Sequence, residues 1–566
     1  MLMRIFSKIF LIALLTVFTV QVFAQSRDPV RGKNGMVVSA SKIASQVGVD
    51  ILKKGGNAVD AAVAVGFALA VTYPSAGNLG GGGFMVIHNS NGTSTTIDYR
   101  ETAPLSATEK MYQDSLGNFL PENSQIGVTS SGVPGSVAGL IYALKKYGTL
   151  SLEEVIQPAI DIAKNGFELE YRLAKSFEYE LEDFSKFPSS EKIFTKNGSP
   201  YSEGDLFVQC DLAQTLERIK ENGADSFYKG KTAQLIVNQI IADGGFITLD
   251  DLQLYKPIER TPIEIDYKGY RVITMGPPSG GGVSLLQMLN ILENYNFKID
   301  EWGSSAYIQK LIEAMKYAFA DRSKHLGDPD FYNVPIDWLL SKKYAHELFS
   351  KIKDYATPSS EILPGNESDF SESRETTHYS VIDKYGNAVS TTTTINSSFG
   401  SKVVVEGAGF LLNNEMDDFS SKPGVPNQFG LIGSEANKIQ PQKRMLSSMS
   451  PTIILKANKP FMIVGSPGGS TILTVVLQVI LNAIEFNMNI QKAVDMPRIH
   501  HQWLPDKLYY EQFGLSQDVI NSLKEKGYII GGTTILGRIE GIIFNESQNI
   551  FEGATDPRGY GAAIGY

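Results

Sequence analysis

Cysteine is nearly absent: Cys210 is the one cysteine in 566 residues. A single cysteine rules out an internal disulfide framework, and a core from a chain this long needs none. Its setting, Phe207-Val208-Gln209-Cys210-Asp211-Leu212, reads as a packed helix entrance, so the thiol is expected to be structural. Histidine is scarce too. The six histidines form no pair at the spacing of a zinc helix, and His500-His501, the one cluster, are adjacent residues that point apart in regular structure. No catalytic metal and no cofactor are expected. Positive charge is in deficit, with a net charge of -10, which argues against nucleic acid and anionic membrane surfaces as partners. Long apolar runs are missing past the N-terminus; the longest, Ala61 to Val71, is too short to span a bilayer.

The first residues have the form of a leader. Arg4 and Lys8 precede the apolar stretch Ile9 to Val20, and Val22-Phe23-Ala24 is a small-residue cleavage site before Gln25. Residues 1–24 are thus expected to be a signal peptide. The product is exported, periplasmic or secreted, with no membrane anchor after cleavage. The remaining composition, 42% hydrophobic and 20% charged, is ordinary globular. At about 150 residues per domain the length suggests three or four domains.

Several stretches carry positional meaning. Ala58 to Val71 is apolar nearly all round, behind the capping residue Asn57, and reads as a buried helix. Gly77 to Met85 is glycine-rich, but it lacks a Gly-Lys-Ser/Thr ending and leads into a strand. Its glycines therefore suit close backbone passage better than phosphate binding. Arg100 follows the strand Thr95 to Tyr99; taken alone it is a surface charge or a carboxylate fork. Gly407 to Leu412 reads as a short strand, and the stretch from Ser420 to Lys443 as a long loop without periodicity.

Glu375-Thr376-Thr377-His378-Tyr379-Ser380 stands out by its surroundings. Upstream is a polar connector from Asp354 to Ser373. Downstream, Thr377 to Ile382 and Ala388 to Ile395 flank the turn Asp383 to Asn387 and form a hairpin. A cut before Thr376 would put a hydroxyl and an α-amine on one residue. That is a nucleophile with its own base, since a free α-amine has a pKa of roughly 7.7–8.0. An ordinary Thr-rich strand after a linker fits the same residues. Gly465 to Ser470 lies between a strand and an apolar helix from Thr471 to Ile484. Its N–H groups sit where the helix dipole favours negative charge, and a tight connection explains it equally.

Taken together, Thr376 to Ser380, Leu411 to Phe419, Leu446-Ser447-Ser448-Met449-Ser450-Pro451 and Gly465-Ser466-Pro467-Gly468-Gly469 resemble the γ-glutamyltransferases of the N-terminal-nucleophile hydrolases. Gly80 to Phe84, Tyr99 to Pro104 and Asp556-Pro557-Arg558 are similar to the family as well. The resemblance implies an α+β four-layer αββα sandwich, built jointly from a large subunit, 25–375, and a small subunit, 376–566. That overrides the domain count from length. It implies a precursor cut between Glu375 and Thr376, whose two pieces form a heterodimer. Thr376 would be the nucleophile and Thr394 its orienting neighbour, with Gly468 and Gly469 as the oxyanion hole. Arg100, Ser447 and Ser448 would hold the donor's α-carboxylate; Asn396, Glu415 and Asp418 its α-ammonium. Donors would be glutathione and other γ-glutamyl compounds, and acceptors water, amino acids or dipeptides. Glu415 is Gln in some bacterial members, and Phe429 replaces a frequent Tyr in the stretch that resembles a lid. Three alternatives remain: a glutaryl or cephalosporin acylase, a poly-γ-glutamate-processing enzyme, and an inactive exported binding protein.

Overall fold

The structure, a computed structural model, describes residues 26–362, 376–422 and 424–566. The leader and Glu375 lie outside the described residues.

Two seven-stranded sheets form the centre. The first runs, edge to edge, through Ala562–Gly565, Gly35–Ser39, Thr377–Asp383, Ala388–Thr394, Gly82–His88, Ser94–Asp98 and Ile258–Arg260. The second runs through Val30–Gly32, Ile550–Thr555, Glu540–Asn545, Lys459–Val464, Thr452–Lys456, Tyr270–Thr274 and Ile263–Tyr267. Every pairing in both is antiparallel. Each sheet takes strands from both sides of Thr376.

Strand alternation decides the layering. Met36, Val38, Phe84 and Val86 face the second sheet and share a core with Ile453, Met462 and Ile542. Val37, Met85, Ile87 and Val381 point the other way, onto the helices Lys42–Lys53, Ala58–Thr72, Ser136–Tyr147 and Leu152–Asn165. The outer face of the second sheet is covered by Gly280–Leu292, Ser305–His325 and Ile472–Ile484. The result is the α+β, αββα sandwich expected. Ala58–Thr72 is buried along all 15 residues, and Asn57 closes a capping box with Asp60. The hairpin forms where expected, with Thr377 paired to Thr393 in the middle of the first sheet.

Two local expectations fail. Gly407 to Leu412 is not a strand; it makes only isolated bridges, Val404 to Leu411 and Gly80 to Leu412. Gly407 and Gly409 take φ of 71° and 76°, which breaks an extended run. Cys210 is exposed, not packed. It is the first residue of the helix Cys210–Asn222, whose buried face begins only at Leu212.

Candidate active site

The hairpin places the first of the expected site residues. Extending its register by one residue sets Thr376 opposite Thr394, both buried and both on one cavity wall. Thr394 Oγ1 accepts from the Asn396 N–H at 2.7 Å; among the described residues it makes no hydrogen bond to Thr376. The Gly80–Gly83 run passes tightly beside it: a Cβ on Gly81 would lie 2.1 Å from the Thr394 carbonyl oxygen. These glycines thus serve backbone approach. Asn78 locks the crossing, a role its sequence context did not reveal. Its Nδ2 donates to the Thr394 carbonyl at 2.9 Å, and its Oδ1 accepts from the Gly81 N–H at 2.9 Å and from the Ser136 hydroxyl at 2.7 Å.

Gly468 and Gly469 sit at φ of 135° and 52°, conformations costly for any residue with a Cβ. The turn continues through Gly469–Thr471 into the helix Ile472–Ile484. Among the described residues neither glycine N–H donates a hydrogen bond. Gly469 lines the Thr376 cavity. Gly468 faces a second, larger cavity of about 780 Å³, together with Thr471, Ser398 and Glu540.

Apart from Gly468 and the undescribed Glu375, every expected site residue lines the Thr376 cavity. Arg100 is buried, not the surface charge its isolated context suggests. Its Nη2 lies 2.5 Å from Asp418 Oδ2, its Nη1 2.6 Å from Glu415 Oε2 and 3.4 Å from Glu101 Oε2. The fork expected to be open for a carboxylate is occupied by carboxylates of the chain itself. Burial raises the carboxyl pKa values of Glu415 and Asp418 against the pull of Arg100, and brings Glu101 up to about 7. Burial draws the Arg100 pKa down, but the same three carboxylates outweigh it and hold the pKa above its ordinary value.

Asn396 adopts φ of 75°, a strained position that Asn tolerates, while its Nδ2 donates to the Asn414 carbonyl at 3.0 Å. Ser447 is braced by the N-terminus of the helix Gly280–Leu292. The Gly280 N–H donates to the Ser447 carbonyl at 2.8 Å, and a Cβ on Gly281 would meet the Ser448 carbonyl at 2.0 Å. One further cavity residue, Arg322, is absent from the sequence-based set. It lies near the end of the helix Ser305–His325, where a cation reads as a partner of the helix dipole. It is buried instead, and burial lowers its pKa to about 10.

The Ser420–Lys443 stretch closes over this cavity. Asn427 Oδ1 accepts from the Phe429 and Leu431 N–H groups at 3.0 and 3.1 Å. The Gln428 N–H donates to Asp417 Oδ2 at 3.0 Å, and Gln502 Nε2 donates to the Phe429 carbonyl at 3.3 Å. The free volume left beneath is about 30 Å³, room for only a few waters.

The sequence model of the family described as Gamma-glutamyltranspeptidase matches residues 44–566. The glutathione hydrolase proenzyme of Escherichia coli (strain K12) is 51% identical, over 94% of this chain and 91% of its own length. Among solved structures, cephalosporin acylase from Bacillus halodurans superposes with a TM-score of 0.85 at 29% identity, covering 97% of this chain and 99% of that one. A chain of Helicobacter pylori gamma-glutamyltranspeptidase is 46% identical with a TM-score of 0.57, covering 61% of this chain and 97% of that one. By its sequence model, its relatives and its fold, the chain belongs to the γ-glutamyltranspeptidase family.

Proposed function

We propose that the protein is an exported, self-cleaving γ-glutamyltransferase with glutathione hydrolase activity. The observation that carries this is the position of Thr376. It heads a buried central strand and shares a closed cavity with the Gly469 turn and a cluster of two guanidiniums and two carboxylates.

Thr376 Oγ first attacks the carbonyl of Glu375; the peptide nitrogen leaves, and water hydrolyses the resulting ester. Residues 25–375 and 376–566 then remain together as large and small subunits. The strands each contributes to both sheets support this, as does the Helicobacter chain, whose match covers a share of this chain close to that of residues 26–375. The freed α-amine takes the Oγ proton as Thr376 attacks the donor's γ-carbonyl. Gly468 and Gly469 donate to the oxyanion, and losing one such donor typically costs about 100- to 1000-fold in rate. The protonated amine passes its proton to the leaving amine. The γ-glutamyl ester on Thr376 then goes to water or to the amine of an amino acid or dipeptide. Asp418, Glu415 and Asn396 take the donor's ammonium; Arg100, Ser447 and Ser448 take its carboxylate. Glutathione is the expected donor. For it to enter, Arg100 must exchange a carboxylate of the chain for that of the donor, and the loop around Phe429 must lift. The larger cavity at Gly468 offers the leaving group and the acceptor space.

Export rests on the leader, residues 1–24; among the described residues no helix is long and apolar enough to cross a membrane. The test is the intact mass under denaturing conditions, with γ-glutamyl anilide hydrolysis. Two pieces, the smaller starting at Thr376, and activity are expected; one uncut, inactive chain would overturn the reading. The likeness to a cephalosporin acylase favours a second reading, an acylase taking donors without an ammonium. A preference for glutaryl over γ-glutamyl anilide would establish it, and the carboxylates around Arg100 speak against it.

A further inference from the structure

Two guanidiniums line the Thr376 cavity, and they are used differently. Arg100 is paired with Glu415, Asp418 and Glu101. Arg322, 5% exposed, has no ion-pair partner among the described residues. Its Nη2 donates to Ser448 Oγ at 3.1 Å, and its Nε has no hydrogen-bond partner. A buried guanidinium with open donors is costly to hold and is resolved by an anion. The Ser448 hydroxyl accepts from Arg322, so its own hydrogen remains available to the cavity. The acidic side chains gather at Arg100, while Ser447, Ser448 and Arg322 form a positively charged wall on which no carboxylate makes an ion pair among the described residues; Asp418, bound to Arg100, acts on Arg322 only through space. An amino-acid head group has both charges to match these two walls.

We propose that Arg322 is a specificity-determining residue which, with Ser448, binds the α-carboxylate of the γ-glutamyl donor. The inference rests on the functional reading above. Arg100 can then stay partly engaged with Glu415 and Asp418 while donor is bound, and the carboxylate is bound by a cation with free donors.

The test compares γ-glutamyl anilide with 4-aminobutyryl anilide, which lacks only the α-carboxylate, on the full mature protein. In Arg322→Gln and Arg322→Met the wild-type preference in kcat/KM for γ-glutamyl anilide should shrink by about 10- to 100-fold, the effect of one charged hydrogen-bonded contact. Most of the loss should lie in KM, and activity on 4-aminobutyryl anilide should stay within about twofold, a pattern that a merely structural residue would not produce. Arg322→Lys should restore part of the preference. Should a neutral variant stay uncut, Ser448→Ala reads the same ratio. An unchanged ratio in an active variant would overturn this proposal alone. A wild-type protein inactive on γ-glutamyl anilide would overturn the functional reading and this proposal with it.

Discussion

Asn78 holds Thr394 by its carbonyl, at 2.9 Å, from a loop more than three hundred residues away in sequence. Thr394 stands across the hairpin from Thr376, so the Asn78 carboxamide positions the strand end facing the proposed nucleophile. The same carboxamide ties down Gly81 and Ser136. The surroundings of Thr376 and Thr394 are therefore held by a buried polar network and not by apolar packing alone.

Asn78→Ala strips several buried groups of a partner at once. Each buried group left without one costs about 1–3 kcal/mol. A fall in melting temperature and a slower appearance of the small subunit are expected, followed by calorimetry and denaturing electrophoresis over time. Full-speed maturation would show that the network does not position Thr394.

Thr376→Ala removes the hydroxyl to which the proposed function assigns both the self-cleavage and the transfer. The protein should remain one chain with no activity on γ-glutamyl anilide, as read by intact mass and by anilide release. A cut or active variant would overturn the assignment of the nucleophile.

Asp418→Ala should still be cut, because the side chain pairs with Arg100, in the proposed donor head-group site, and not with the Thr376 hydroxyl. Its KM for γ-glutamyl anilide should rise by at least about 10-fold, the scale of one charged hydrogen bond. An unchanged KM would remove Asp418 from donor binding.

Gly281→Ala would push a methyl group to 2.0 Å from the Ser448 carbonyl. Backbone cannot yield as a flexible side chain does, so Ser448 must shift. Donor KM should rise while the protein still folds, as judged by its circular dichroism.

Asp417 gives a pH signature. Burial raises its pKa to about 6, against the hydrogen bonds from the Gln428 N–H and the Ser124 hydroxyl. In the unfolded chain an Asp titrates near 3.9. Between about pH 4 and 6 the folded state holds the proton and the unfolded state does not. This group's stabilisation is therefore complete below about pH 4 and is lost as pH rises through 6. Urea denaturation of wild type and Asp417→Asn at pH 4, 5, 6 and 7 should show the difference between them changing across that window and level above it.

Local stereochemistry made much of the fold legible. The Thr377–Asp383 and Ala388–Thr394 hairpin, the buried helix Ala58–Thr72 and the strand, glycine turn and helix around Gly468 follow from periodicity, turn residues and caps, which act within a few residues. The same rules misread Gly407 to Leu412, where two left-handed glycines outweighed apolar composition, and Cys210, where the helix face turned its first residue to solvent.

The sequence by itself determined which residues are candidates for the chemistry: Thr376 at the mouth of a strand, the Gly468-Gly469 turn, and a set of charged and hydroxyl side chains in spaced motifs. Only the tertiary structure decided how those charges are used. It folded Arg100 onto Glu415 and Asp418, left Arg322 buried with no ion pair among the described residues, and set Asn78 against Thr394. Backbone conformation is set by neighbours along the chain. The partner a charge finds, and the cost of leaving it without one, depend on burial and on elements that meet only when the chain is folded.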